Sequence, residues 1–509
     1  MSQAKQQQAP VPPKASFTLS ESLKNRILWI LFGIWAIMVS VGINFHEQWR
    51  DEGSDWLTVR HVSIKELFGT MIPQIGHPPM WYFLMYPLGN MGLPLVTVNI
   101  VCAIIMAIAM YFMLFKLKFP FYLKLSLIFC MFFVYEYPVV GRNYGLVVLF
   151  LMLVLWFYPR RFEKPLVYSL LLVCLYNTHS MVFPMAFGIM LLFFWEMVEF
   201  KHLNGKTIAA ALFMLVGGLY LIPYMAIPGM KAVSEKLDIP DHFLQFKTAL
   251  GNGLLVGGIE DASTVGTLGL LAFVGLLVFL APRLKPFAVL VCGAGGLLYL
   301  LTYKYIGQHR HQGLVMVEIL FAYGLSGYYA NDYFSLKSPF SMKAFRYGTI
   351  LLTVLLFWQS YQGFQSIKYE IDTPFSDGKS AADFLKENNL DHKILVGHSS
   401  WAASSVLQQL PADCKMYWPD TKRWGYFIQF DSLYLANHMK YAFSGDFAAA
   451  AADEKFHDSL KNVVLVLSAP IEDAKLRTEW KPIYAGGMFG ADGVAPIKKQ
   501  ESFIIYVHQ

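Results

Sequence analysis

Charge is scarce in this sequence: Asp, Glu, Lys and Arg make up 15% of its 509 residues, against 56% hydrophobic residues. A soluble core of this length needs more polar cover, so the balance excludes an ordinary soluble enzyme. Together with a mean hydropathy of +0.43, it describes a polytopic membrane protein. A surplus of one sign is missing as well. The net charge of +6 is small for the length, and Lys and Arg fall in short clusters between apolar runs, which leaves no footprint for nucleic acid. Cysteine is rare. Of Cys102, Cys130, Cys174, Cys292 and Cys414, the first four lie inside apolar runs and no two have zinc or redox spacing, so they read as packing residues. No persuasive signal cleavage site follows the polar, Gln- and Pro-rich start, and no internal repeat is visible.

What is present is a succession of apolar runs at 26–45, 93–115, 120–138, 144–158, 165–179, 181–198, 207–225, 264–281, 286–303, 312–330 and 347–365. About eleven membrane-spanning helices are predicted, since each run is near the length that crosses a bilayer. Residues 1–25 read as a disordered cytoplasmic tail, 26–365 as the membrane domain with an outer loop at 46–92, and 366–509 as a small α/β domain. In the last part, SDGKSAADFLKENN and SSVLQQL read as helices, and KILVG, NVVLVLS and ESFIIYV as strands. With the N-terminus inside, alternate loops carry the basic residues: Lys116 and Lys118, Arg160, Arg161 and Lys164, Lys201 and Lys206, Arg283 and Lys285, and Lys337, Lys343 and Arg346. The C-terminal domain then lies outside the cytoplasm.

The chemically suggestive residues fall on the opposite, outer face. The loop WRDEGSDWLTVRH carries Asp51, Glu52 and Asp55, and IGHPPMWYF follows, where Pro78 and Pro79 can begin an interfacial helix with His77 at its mouth. These carboxylates are either solvated loop charges or include a general base that takes the proton of an acceptor hydroxyl. Arg142 and Arg310, at the outer ends of two runs, either snorkel to the interface or bind phosphate. His179 is a structural residue or a ligand contact. His309 and His311 with Asp51 or Glu52 form a conceivable divalent-metal set that the spacing does not demand, so no metal or other cofactor is expected. VGHSSWAAS has Trp401 where a nucleophile elbow needs Gly, and GGMFGADG has no following helix, so both read as structural.

The order Asp51-Glu52-Trp56-Arg60, Gly76-His77-Pro78-Pro79-Met80-Trp81-Tyr82, Arg142-Asn143-Tyr144 and Arg310-His311 resembles the membrane glycosyltransferases of the GT-C class. The branch it resembles is that of the protein O-mannosyltransferases and the lipid A aminoarabinose transferase. The resemblance implies an inverting transferase that moves a sugar from a polyprenyl-monophosphate carrier to a glycan, lipid or protein at the outer face of the cytoplasmic membrane. It implies Asp51 as the base, Glu52 and His77 as residues shaping the site, and Arg142 and Arg310 as ligands of the donor phosphate, with Tyr144 in the Arg142 motif. Look-alikes often have Ala-Gln where this chain has Gly53-Ser54-Asp55, so Asp55 competes with Asp51 for the role of base. An oligosaccharide ligase or polymerase with a polyprenyl-diphosphate donor and a non-enzymatic lipid-carrier transporter are the alternatives; the transporter would place its ionisable groups near mid-bilayer.

Overall fold

A computed structural model describes residues 19–222, 241–256, 262–305, 307–329, 339–398, 400–427, 429, 431–441, 444–486 and 501–509. The tail before residue 19, parts of the 228–263 stretch and most of GGMFGADG lie outside the described residues.

Among the described residues, five helices are long and apolar enough to cross a membrane: Glu21–Phe45, Thr97–Lys116, Ser180–Glu199, Ala262–Leu280 and Leu284–Tyr303. Three shorter apolar helices, Tyr144–Arg160, Pro165–Tyr176 and Gly205–Leu219, pack among them. Ile30, Ile37, Ile104, Leu212, Val216, Leu271 and Phe357 stand exposed on the outside of the bundle, an apolar surface that suits lipid rather than water. Helix Leu314–Ser326 runs through the middle, with nearly every side chain buried.

The structure redraws several predicted runs. The first helix begins at Glu21, inside the stretch read as tail. The run 120–138 is broken into the helix Phe121–Leu127 and a wide turn at Phe132–Glu136. The last run belongs to a 34-residue helix, Pro339–Asp372, that carries the bundle past residue 366. The outer loop is itself largely helical, with Arg50–His61 and Met80–Asn90 as its main elements.

At one end of the bundle, the Glu196 carboxylate accepts from Arg161 Nε at 2.8 Å, Lys285 Nζ at 3.3 Å, and the Tyr158 and Tyr329 hydroxyls at 2.5 Å each. Arg283 is buried against Ser326 and Phe345. These cations, read from sequence as basic residues of inner loops, are ion-pair and packing residues at one end of the bundle.

The C-terminal region forms a six-stranded sheet in the order β3-β2-β1-β4-β6-β5. The strands are β1 (Ile394–Gly397), β2 (Met416–Trp418), β3 (Arg423–Gly425), β4 (Val463–Leu467), β5 (Trp480–Ala485) and β6 (Ile504–His508). β1 is parallel to β2 and β4; the other pairs are antiparallel. β4 is buried at every position, which is why its sequence is an unbroken apolar run.

The bundle and the helix Arg50–His61 meet at His46. Its Nδ1 lies 3.0 Å from Glu370 Oε1 and its Nε2 3.1 Å from Glu52 Oε2, so both ring nitrogens face carboxylates and both carry protons. Tyr135 also donates to Glu370. Glu52 further accepts from Asn99 Nδ2 at 2.7 Å, Gly141 N at 2.5 Å and Trp49 N at 3.0 Å. Five separate chain segments are thus tied to one buried charge cluster.

Stability should follow the protonation of this cluster. Burial alone lowers an imidazole, but the two carboxylates outweigh it and lift His46 from 6.5 to about 10. Burial also works to raise Glu52, yet His46 and the backbone donors hold it below its ordinary 4.5. The His46 contribution is complete below pH 6.5 and declines toward pH 10, while that of Glu52 is complete above pH 4.5 and is lost on acidification. Unfolding in detergent is expected to show greatest stability between these two limits. Glu52→Gln should weaken the fold by about 1–3 kcal/mol, because His46 keeps Glu370 but the amide has one acceptor oxygen fewer for the buried donors of His46, Asn99, Gly141 and Trp49. Stability that stays flat from pH 6.5 to 10 would contradict a buried imidazolium.

Candidate functional site

The twelve-residue helix Arg50–His61 is unusual in a bilayer protein, because it is charged along its length. Its ends obey the helix dipole, with Asp51 and Glu52 in the first turn and Arg60 and His61 in the last. Glu52 reaches back to the Trp49 N–H as in a capping box. Asp51 and Asp55 are four residues apart and share one face.

Arg142 meets that face. Its Nη1 donates to Asp55 Oδ2 at 2.6 Å and to the Asp51 backbone oxygen at 3.1 Å. Asp55 also accepts from Trp81 Nε1 at 3.0 Å and from the Tyr82 hydroxyl at 2.7 Å. The aromatic residues after His-Pro-Pro thus have a defined task, which is to hold Asp55. Burial raises the Asp55 pKa, opposed by Arg142 and these donors. With its oxygens occupied, Asp55 is fixed as a counter-ion.

Asp51 is different. Among the described residues its carboxylate makes no hydrogen bond; its nearest cation is Arg310, with Nη1 3.8 Å from Oδ2. Arg310 Nε lies 3.8 Å from Glu136 Oε1, and its guanidinium stacks over Trp49 at 4.3 Å. Gln308 accepts from Nη2, and the Arg310 backbone oxygen accepts from the Tyr137 hydroxyl at 3.0 Å.

The histidines form a row behind these charges. Gly76 adopts φ 77°, a left-handed turn that glycine allows, and sets His77 ahead of Pro78 and Pro79. The helix itself starts at Met80, whose N–H bonds to Asn177 O at 3.2 Å and so ties this loop to the one bearing His179. The His77 and His179 rings lie 5.5 Å apart, and His179 and His311 5.9 Å. Tyr144 sits between the latter two, at 4.9 and 5.5 Å. Tyr305 is 5.0 Å from His311. The Met181 N–H donates to His179 Nδ1 at 3.1 Å, and the Gln308 N–H to His311 Nδ1 at 3.0 Å. Both rings therefore carry their proton on Nε2 when neutral.

Several buried donors make no hydrogen bond among the described residues: Arg142 Nε, Arg310 Nε and Nη1, and His179 Nε2. His77 Nδ1, which donates or accepts according to its tautomer, is likewise unpartnered. Leaving such groups unsatisfied costs about 1–3 kcal/mol each. A concentration of them beside an unbonded carboxylate is the signature of a site shaped for a polar, oxygen-rich ligand.

Asp51, Asp55, His77, Arg142, Tyr144, His179, Arg310 and His311 are thus brought together. Glu52, expected to shape this site, is enclosed on the other side of its helix in the His46 cluster, because its oxygens are saturated there. His309 stands next to Arg310 with Nδ1 unpartnered, outside the row of rings. Among the described residues no group of three His, Cys, Asp or Glu is placed to hold a metal ion. Comparison with protein families, with curated proteins and with solved structures finds no match. Sequence reasoning missed Trp49, Glu136, Tyr305 and Gln308. Trp49 stands next to the acidic cluster and Glu136 six residues before Arg142, but neither has a signal of its own until Arg310 folds onto them.

Burial, and then the nearby arginines, keep these imidazoles uncharged: His77 falls to about 4 through burial and Arg142, and His309 to about 4 through burial and Arg310. Nitrogen NMR of imidazole-labelled protein at pH 6, where free imidazole is mostly protonated, should find both neutral, with His46 charged even at pH 8. A protonated His77 at pH 6 would show that water reaches the site.

Proposed function

We propose that the chain is an inverting membrane glycosyltransferase that moves a sugar from a polyprenyl monophosphate to a glycan, lipid or protein. The observation that carries this reading is the unbonded Asp51 carboxylate facing Arg310, with unused guanidinium and imidazole N–H groups around it. Asp51 accepts the proton of the acceptor hydroxyl as the new bond forms at the anomeric carbon. The bond from that carbon to the phosphate oxygen breaks, and the electron pair leaves on the carrier phosphate, where Arg310 and Arg142 stabilise it in a site of low dielectric. His179 and His311 offer neutral N–H donors to the sugar or phosphate. Because each guanidinium already faces carboxyl groups, Asp55 for Arg142 and Asp51 with Glu136 for Arg310, the site has little surplus positive charge. That supports a phosphodiester donor with one negative charge over a diphosphate donor with two.

The reading places the N-terminus in the cytoplasm, about eleven crossings in the cytoplasmic membrane, and the site and C-terminal domain on the outer side. It needs no cofactor. The placement is supported by the two poles of the bundle: helix Tyr144–Phe157 runs from the site toward the Glu196 cluster, and its 14 residues span about 21 Å.

One observation favours the transporter reading. Glu318, in the middle of helix Leu314–Ser326, is buried with both carboxyl oxygens unpartnered among the described residues. Reconstituted protein separates the two, since a transporter moves labelled lipid between leaflets without transferring sugar.

With a synthetic polyprenyl-phosphate sugar, Asp51→Asn is expected to insert and fold normally but to lose about a hundredfold to ten-thousandfold in transfer rate. Full activity in that variant sinks the assignment of the base. Arg310→Ala should raise the donor concentration needed for half-saturation by about tenfold or more, as loss of a charge-assisted contact requires. Unchanged donor saturation removes Arg310 from the phosphate site.

A further inference from the structure

We infer that the C-terminal α/β domain is a positioning element for the reaction, gripping the helix that carries Asp51 along a face next to the one that does chemistry. This inference rests on the transferase reading above. The grip begins before the helix, where Gln408 Nε2 donates to Gln48 O at 3.1 Å. At the first helical residue, the Glu501 carboxylate accepts the Arg50 N–H at 3.2 and 3.3 Å and faces the Arg50 guanidinium at 3.5 Å. The Ser404 hydroxyl donates to the Arg50 backbone oxygen at 3.3 Å. One turn on, Gly53 lies so close to Gln408 that a Cβ would collide with its side-chain amide. Leu57 is buried inside the domain's own core, with Ala381, Leu385 and Val406. At the end of the helix, the His61 ring stacks on Tyr426 at 4.1 Å and an interplanar angle of 9°.

Residues 50, 53, 57 and 61 follow the spacing of one helical face. Asp51 and Asp55 lie on the adjacent face, toward Arg142 and Arg310. Trp49, the N-cap residue, supplies no side-chain cap of its own, so the first amide of the helix depends on an acceptor from the far end of the chain. Glu501 is held for this by the Ser376 hydroxyl at 2.9 Å and by Ser405. Misplacing a general base by an ångström is enough to cost about a hundredfold in rate. Glu501 and Gln408 act through Asp51 and touch no substrate, which makes them positioning residues.

The test uses the full chain in nanodiscs, with hydrogen exchange and transfer kinetics measured together. Glu501→Ala is expected to raise amide exchange across residues 50–55 about tenfold or more, with the membrane helices unaffected. It should lower kcat about tenfold to a hundredfold at saturating donor, with the donor KM within about twofold. A second readout is the pH profile. The groups facing Glu501 are Arg50 and the hydroxyls of Ser376 and Ser405, and burial, only partly offset by them, pushes its carboxyl up to about 7. The charged grip is therefore present above pH 7 and weakens below it, and Glu501→Gln should remove the limb of kcat near pH 7. Unchanged exchange at residues 50–55 overturns the proposal, and so does raised exchange with unchanged kcat. Should Glu501→Ala fail to insert, Gln408→Ala is put through the same two measurements, and the same outcomes support or overturn the grip. Wild-type protein that transfers no sugar sinks the transferase reading alone, and the exchange data then decide whether the domain grips the helix.

Discussion

A charged imidazole buried between two carboxylates organises this molecule. His46 closes the first membrane helix, Glu370 sits near the end of the last long one, and Glu52 belongs to the acidic helix between bundle and C-terminal domain. Each ion alone would be expelled from such a place, because desolvating one charge costs several kcal/mol. Together, with donors from Asn99, Gly141, Trp49 and Tyr135, they are saturated. The cluster exists only when helices distant in sequence are docked, so it specifies one arrangement of them. The Asp51 and Asp55 face of the acidic helix inherits its orientation from this lock.

On that face, opposite charges are paired unequally. Asp55 is bound by Arg142, Trp81 and Tyr82, whereas Asp51 keeps an unbonded carboxylate at a longer distance from Arg310. Both guanidiniums retain unused N–H groups. An arginine whose fork is fully occupied stabilises the protein and offers a ligand nothing. One that is held in place by stacking on Trp49 and by Gln308, with donors to spare, is preorganised for an anion.

Much of this was legible from the chain, and what was not has physical causes. The apolar runs, the acidic segment between the first two of them and the gathering of Asp51, His77, Arg142 and Arg310 followed from composition and local pattern. The strands β1, β4 and β6 were legible because they are apolar runs of the right length; β2 and β3 were not, because Met416–Trp418 and Arg423–Gly425 are three-residue strands defined by their partners, and β5 was not, because only Trp480 of Trp480–Ala485 is buried and the strand is no apolar run. Glu52 lies apart from that gathering because adjacent residues on a helix point about 100° apart, so the neighbour of Asp51 necessarily faces elsewhere. Arg161 and Lys285 looked like ordinary loop charges because nothing in sequence links them to Glu196, a residue inside an apolar run.

The acidic helix shows how a polar segment survives at the edge of a bilayer domain. Trp56 and Val59 pack into an apolar cluster with Met71, Trp81 and Met85, and the charged positions around them each need a partner of their own. Here Glu52 turns into the ion cluster, residues 50, 53, 57 and 61 turn to the C-terminal domain, and Asp51 and Asp55 turn to the arginines. Three faces have three partners, and only one of the three leaves a carboxylate unsaturated. That asymmetry explains why the C-terminal domain sits where it does: without it, the helix would present a second unsatisfied face, and its first amide would have no acceptor. An α/β domain appended to a membrane bundle is thereby part of the same folding problem as the site, since the geometry of Asp51 is fixed jointly by a buried ion in the bundle and by Glu501 at the far end of the chain.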